Sequence, residues 1–291
     1  MTVQVSQYPI RYDPGARPKR WGSPAVLESG ETTYSVARGL ALAAALGLGL
    51  ALEGWRPHAR LCPAWRTNVG LWAIDGVAMA VVCGACGWVV AAWASGRGLG
   101  LLAWAGSDPW LSVVAALLGL DAVSYAWHRA NHRLPLLWRF HKVHHADASF
   151  HVTTALRFHP GELLLALPVR IGAIVLLGVP PEGVLLFELV FGAANLLEHG
   201  NFDLPRRVES LAQRAFITPA LHRAHHAADW RELDTNFGTI FSVWDRLAGS
   251  LRASDGARRV ETGLPDRVDS RPPSLSESLL LPFTSRGARS G

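Results

Sequence analysis

Nine of the chain's twelve histidines fall into four short clusters. These are His128 and His132 in HRANH, His141, His144 and His145 in HKVHH, His199 in EHGN, and His222, His225 and His226 in HRAHH. Spacings of three and four residues place side chains on one face of a helix, so each box can aim its imidazoles at one point. HRANH alone is compatible with a solvated surface helix. Two copies of H-x-x-H-H together with an H-x-x-x-H argue against that reading, because imidazoles gathered without a cation leave donors and acceptors unsatisfied and repel one another once protonated. Neutral imidazole binds iron, zinc and copper, and nine such ligands exceed what one tetrahedral zinc uses. A two-metal centre accounts for the number, and the fold must bring separate helical stretches together to build it.

The neighbours of the boxes add detail. Thr218-Pro219 offers an N-cap and a first-turn proline just before His222, fixing the start of that helix. Asp121 precedes His128 by seven residues and shares its helix face, which marks it as a functional suspect inside an apolar helix. Asn195 stands four residues before His199, where an H-x-x-x-H would supply a second ligand, and is either a weak ligand or a structural amide. His159, in RFHP, fits a role behind the ligands, and Glu198, Asp229 and Asp234 are acidic groups able to orient imidazoles. For His58 and His151 ordinary surface or loop roles are expected.

Apolar runs set the architecture. Hydrophobic residues make up 49% of the 291 and charged ones only 18%, which excludes a disordered or fibrous chain. Residues 34–53 and 69–93 are each long enough to cross a bilayer, the second flanked or lined by Trp65, Trp72, Trp88 and Trp93 as interfacial anchors. Asp108-Pro109 starts a third helix that runs to His132, and residues 163–179 and 183–197 form a re-entrant or tilted hairpin about Pro180-Pro181 carrying Arg170 and Glu188. The expected fold is all-α, a multi-pass helical membrane protein. It comprises a polar tail over 1–33 that is no signal peptide, N-terminal membrane helices over 34–107, a histidine-bearing domain over 108–250 and a polar, mobile tail over 251–291.

The formal charge of +5 does not indicate nucleic acid, since the basic residues avoid the apolar runs and gather between and after them, as in membrane proteins. Placing Arg129, Arg133, Arg139, Lys142 and Arg157 in the cytoplasm conflicts with Arg11, Arg17, Lys19 and Arg20 if three spans separate the two groups. One N-terminal segment is therefore expected not to cross. Cys62, Cys83 and Cys86 are too few for a disulfide framework, and the C-x-x-C lies in an apolar run where a packed helix face explains it.

Taken in order, HRANHRLPLLWRFHKVHH, TTALRFHPGE, EHGNFDLP, TPALHRAHH and TNFGTIFSVWDRLAG resemble the fatty acid hydroxylase/sterol desaturase superfamily of integral membrane enzymes, from Asp121 to about Gly249. The resemblance implies a cytoplasm-facing helical cap in which His128, His132, His141, His144, His145, His199, His222, His225 and His226 hold two non-haem irons. It further implies O2 as co-substrate, a lipid substrate such as a sterol, fatty acyl chain or carotenoid, and hydroxylation or desaturation as the reaction. Electrons would come from a separate donor, a cytochrome or a ferredoxin with its reductase, since no fused haem-binding domain is evident. The third box departs from the family pattern by offering His199 with only Asn195 or Asn201 nearby. Alternatives of other classes are a membrane zinc hydrolase, against which stands the lack of H-E-x-x-H, and a non-catalytic metal- or haem-binding membrane protein.

Overall fold

The structure is a computed structural model describing residues 24–59, 64–82, 86–254, 259–266 and 271–285. Most of the N-terminal tail, with Cys62 and Cys83, lies outside the described residues. In chain order the helices are α1 (Pro24–Trp55), α2 (Trp65–Val82), α3 (Cys86–Ser95), α4 (Leu101–Trp104), α5 (Pro109–Arg133), α6 (Pro135–His145), α7 (Pro160–Leu177) and α8 (Pro181–Glu198). Short helices follow: α9 (Arg206–Ala212), α10 (Pro219–His225), α11 (Trp230–Leu233), α12 (Val243–Leu247) and α13 (Leu275–Leu280). Among the described residues there is no β-strand, only three isolated bridges.

Thr32–Trp55, Pro109–Arg133 and Pro160–Leu177 are long and apolar enough to cross a membrane. Their outward faces carry exposed Leu40, Leu48, Leu111, Val114 and Leu176. So much outward-facing apolar surface is stable in lipid and costly in water. Within the stretch expected as one crossing over 69–93 the described residues form α2 and α3, neither among those three, and residues 83–85 between them lie outside the described ones. Buried Asn68 and Asp75 explain why α2 does not behave as a plain lipid-facing span.

Asp108 caps α5 as expected, its Oδ1 accepting from the Trp110 and Leu111 amides, with Pro109 in the first turn. The hairpin forms as α7 and α8, turning at Gly178, whose φ of +71° is the left-handed region that suits glycine. Its backbone also packs so closely on Gly100 that a Cβ at Gly100 would sit 2.2 Å from the Gly178 nitrogen. The polar groups within the apolar helices find one another. Glu188 accepts from the Tyr34 hydroxyl and from Arg170 and lies 3.3 Å from Arg38 Nε, so Arg38 pairs within the bundle. Around them Ala116, Leu120, Ile174, Val184 and Phe187 form the core joining α5, α7 and α8.

A second core, including Leu71, Trp138, Val143, Leu233, Leu264 and Leu281, lies beneath the histidine boxes. Its last members come from the segment expected to be a structureless tail. Ser274 and Glu277 form a reciprocal capping box that starts α13, and the buried Lys142 donates to the Thr284 carbonyl at 3.0 Å. That S-x-x-E signal is present in the sequence, but a six-residue helix is too short to show a periodicity.

Candidate metal centre

Proline after an extended residue separates the first two boxes. Leu134 leaves α5 with φ −97° and ψ 119°, and Pro135 opens α6 at once, so HRANH and HKVHH meet at a sharp corner. Thr218 caps α10, its hydroxyl accepting from the Leu221 amide, and so sets the position of HRAHH. His199 follows the last residue of α8. From these four places the chain brings all nine box histidines together in two groups. The first comprises His128, His132, His141, His145 and His225, the second His144, His199, His222 and His226, and within each the ligating nitrogens lie within 4.8 Å of one another.

The orientation of the rings is fixed from behind. His128 Nδ1 donates to the Phe237 carbonyl, His225 Nδ1 to the Thr235 carbonyl and His199 Nδ1 to the Asn195 carbonyl, each at 2.7 Å. His144 Nδ1 donates to the Arg157 carbonyl at 3.2 Å and His141 Nδ1 to Glu162 Oε1 at 2.8 Å. A carbonyl can only accept, so the Nδ1 atoms of His128, His144, His199 and His225 carry the proton, and a neutral ring so held presents a bare Nε2 to the interior. Burial, reinforced by the neighbouring imidazoles, pushes the pKa values of His144, His145, His222 and His226 well below 6.5. Burial also brings His199 down to about 3.

The His144 and His199 nitrogens then face one another without a hydrogen to share. His199 Nε2 lies 3.1 Å from His144 Nε2 and 3.0 Å from His222 Nε2. Both His199 and His144 hold their proton on Nδ1, so two lone pairs oppose each other at that distance. His128 Nε2, His141 Nε2 and both nitrogens of His145 and His226 are likewise buried without a hydrogen-bond partner. Buried acceptors directed at a common point without a donor are costly, and a cation is the partner that satisfies them together. The donor set fits a pair of transition-metal ions.

The other candidate residues stand behind this arrangement. Asp234 Oδ1 is 3.9 Å from His132 Nδ1. Asn195 supports His199 through its carbonyl, while its Nδ2 donates to the Ala155 carbonyl at 3.1 Å. His159 lies outside both groups. It caps α7, Nδ1 accepting from the Gly161 amide at 2.9 Å, and its Nε2 donates to the Leu279 carbonyl at 3.2 Å. Asp121 faces the closing segment and not the imidazoles, accepting from the Ile240 and Phe241 amides and from Trp244 Nε1. Helix face alone could not distinguish these outcomes, because a seven-residue offset is about 10 Å along the axis. His58 pairs with Asp203 at 2.9 Å.

Residues that sequence reasoning passed over hold the carbonyls in place. Glu162 also accepts from Asn131 Nδ2 at 3.1 Å. Asn236, at φ +53°, donates to the Leu221 and Arg252 carbonyls, so the flanking Thr235 and Phe237 carbonyls turn toward the histidines. Asp245 accepts from the Phe237 and Gly238 amides and pins the same loop. These roles lie within TALRFHPGE and TNFGTIFSVWDRLAG, whose function is spatial and leaves no period in the sequence.

A cavity of about 240 Å³ opens from this centre between α5, α7 and α8. His128, His141, His144, His199 and His222 lie at one end, Leu120, Val123, Phe187 and Phe191 line its walls, and Arg170 also borders it.

Residues 113–250 match the family model for fatty acid hydroxylase. Among characterised proteins, the chain is 30% identical to the ornithine lipid hydroxylase OlsE of Rhizobium tropici, over 62% of this chain and 54% of that protein. It is 28% identical to cholesterol 25-hydroxylase of Rattus norvegicus, over 54% of this chain and 52% of the relative. With alkylglycerol monooxygenase of Danio rerio it shares 31% identity over 47% of this chain and 29% of the relative. The chain thus spans about half the length of the first two relatives. No solved structure matches.

Proposed function

We propose that the chain belongs to the fatty acid hydroxylase family, whose model residues 113–250 match, and that it is a membrane-bound non-haem di-iron oxygenase that uses O2 and electrons from a separate donor protein to hydroxylate a lipid. The observation that carries this reading is the set of opposed, proton-free imidazole nitrogens, with His199 Nε2 at 3.1 Å from His144 Nε2. In it His128, His132, His141, His145 and His225 hold one iron, and His144, His199, His222 and His226 the other. Iron supplies the redox chemistry with O2 that an unactivated C–H bond requires, whereas zinc offers only Lewis acidity and an activated water.

The chain's own residues do the rest. Backbone carbonyls of Asn195, Thr235 and Phe237, together with Glu162, hold the rings in the tautomer that presents Nε2. Leu120, Val123, Phe187 and Phe191 exclude water from the cavity and align an apolar chain against the histidine end. An apolar cavity leading to the centre favours a lipid over a polar substrate. The names of the relatives, each a lipid hydroxylase or monooxygenase, favour hydroxylation over desaturation.

Orientation follows from counting crossings. With α1 and α5 as the two candidate spans before HKVHH among the described residues, HKVHH and its flanking arginines lie on the same side as the start of α1. The positive-inside rule makes that side the cytoplasm. α7 and α8 then leave and return as a hairpin, bringing His199 back to the same face.

Metal analysis of the purified protein tests the reading. About two irons per chain is the expected result from a two-cation donor set. One zinc and no iron would indicate the hydrolase, and a Soret band a haem protein. Lipid profiling of cells with and without the protein should reveal a product heavier by one oxygen atom.

A further inference from the structure

The two histidine groups are unequal, five residues against four. The shortfall falls on the third box, where Asn195 stands in place of a second histidine. Asn195 spends its Nδ2 on the Ala155 carbonyl and its own carbonyl on His199 Nδ1. The neighbouring Glu198 has no such engagement. Its side chain is 1% exposed, and neither carboxylate oxygen receives a hydrogen bond. Other buried carboxylates of the cap differ: Glu162, Asp147 and Asp245 all accept hydrogen bonds. A buried carboxylate with no donor at all is unfavourable, so such a group calls for a positive partner.

That partner's position is marked. Glu198 Oε1 lies 3.8 Å from His222 Nε2 and 4.0 Å from His199 Nδ1, and Glu198 lines the cavity alongside His144, His199 and His222. Two donors on one cation, each at about 2.0–2.2 Å, stand no more than about 4.4 Å apart. The separation from His222 Nε2 is within that limit, whereas Glu198 does not share the 4.8 Å spacing common to all four imidazoles, so ligation requires its side chain to turn toward the cation. We propose that Glu198 is an oxygen ligand to the cation held by His144, His199, His222 and His226, giving each cation five protein donors. The inference rests on the two-cation reading above and goes beyond it. It makes the two ions chemically inequivalent, because one carries an anionic ligand that favours its higher oxidation state and the other only neutral imidazoles.

Cobalt(II) alone, titrated into chelator-stripped full-length protein in detergent, tests the assignment without turnover. Wild type should take up two ions. In Glu198→Ala the second ion should be held at least tenfold more weakly, and its visible d–d absorption should strengthen as five donors become four. The isosteric Glu198→Gln, which preserves packing, should weaken retention to an intermediate degree and keeps the test valid if the alanine variant fails to fold. Binding and spectra unchanged in Glu198→Gln and in any folded alanine variant would overturn the proposal. Uptake of one ion by wild type would instead overturn the two-cation reading itself, and the ligand with it.

Discussion

Two buried polar clusters lie side by side in the cap and satisfy their polar atoms in opposite ways. In the first, Asp147 accepts from Asn68 Nδ2, Thr154 Oγ1 and both the amide and hydroxyl of Ser149. Arg157 donates to the Val143 carbonyl, Asn68 Oδ1 and Ser278 Oγ. Burial acts to raise the Asp147 pKa, but Arg157 and these hydrogen bonds outweigh it and hold the carboxyl below its ordinary range. In the second, His128, His141, His144, His199 and His225 direct Nδ1 outward to a carbonyl or carboxylate, and His128, His141, His145 and His226 leave buried nitrogens with no hydrogen-bond partner. Arg157 belongs to both clusters, since its carbonyl takes the His144 proton. The difference shows how to tell a structural polar core from a site built for a ligand: the former closes its hydrogen bonds internally, the latter leaves a consistent set open.

The sharpest way to break that comparison is to remove an inward-facing nitrogen. His144→Ala or His225→Ala should abolish product formation and bound iron while membrane insertion persists, as read by product analysis, iron content and size-exclusion behaviour. Unchanged turnover in either variant would remove that residue from the centre. Opening the closed cluster should do the reverse. Arg157→Met strands a buried carboxylate and should destabilise the protein by roughly 3–5 kcal/mol, seen as a lower Tm with or without metal, and Asp147→Asn in the same chain should recover part of the loss.

A smaller effect is expected where the clusters are linked through a single supporting group. Glu162→Gln keeps an acceptor for His141 but removes its charge, so metal retention should fall by about 10–100-fold with little change in Tm of the metal-free protein. The smallest concerns His159. Its cap on α7 needs a bare Nδ1, and burial lowers its pKa from 6.5, with the Leu279 hydrogen bond opposing. A lowered folded-state pKa means stability that is complete above the unfolded value and lost as pH falls through the folded one. Tm should therefore decline more steeply below about pH 6.5 in wild type than in His159→Asn, whose amide caps at every pH. Equal slopes would show that the cap does not depend on protonation.

Much of this could be read directly from the chain. The i, i+3 and i+4 spacings of the boxes, the proline-led helix starts at Pro109 and Pro219, and the apolar lengths of α1, α5 and α7 are local properties, and local properties are written in consecutive residues. Tertiary structure decided the partition of nine histidines into five and four, the turning of Asp121 toward Trp244, the docking of α13 beneath the boxes and the isolation of Glu198 beside His222. Each depends on which segments distant in sequence come within a few ångströms, and a periodicity fixes the face of a helix without fixing what lies opposite it.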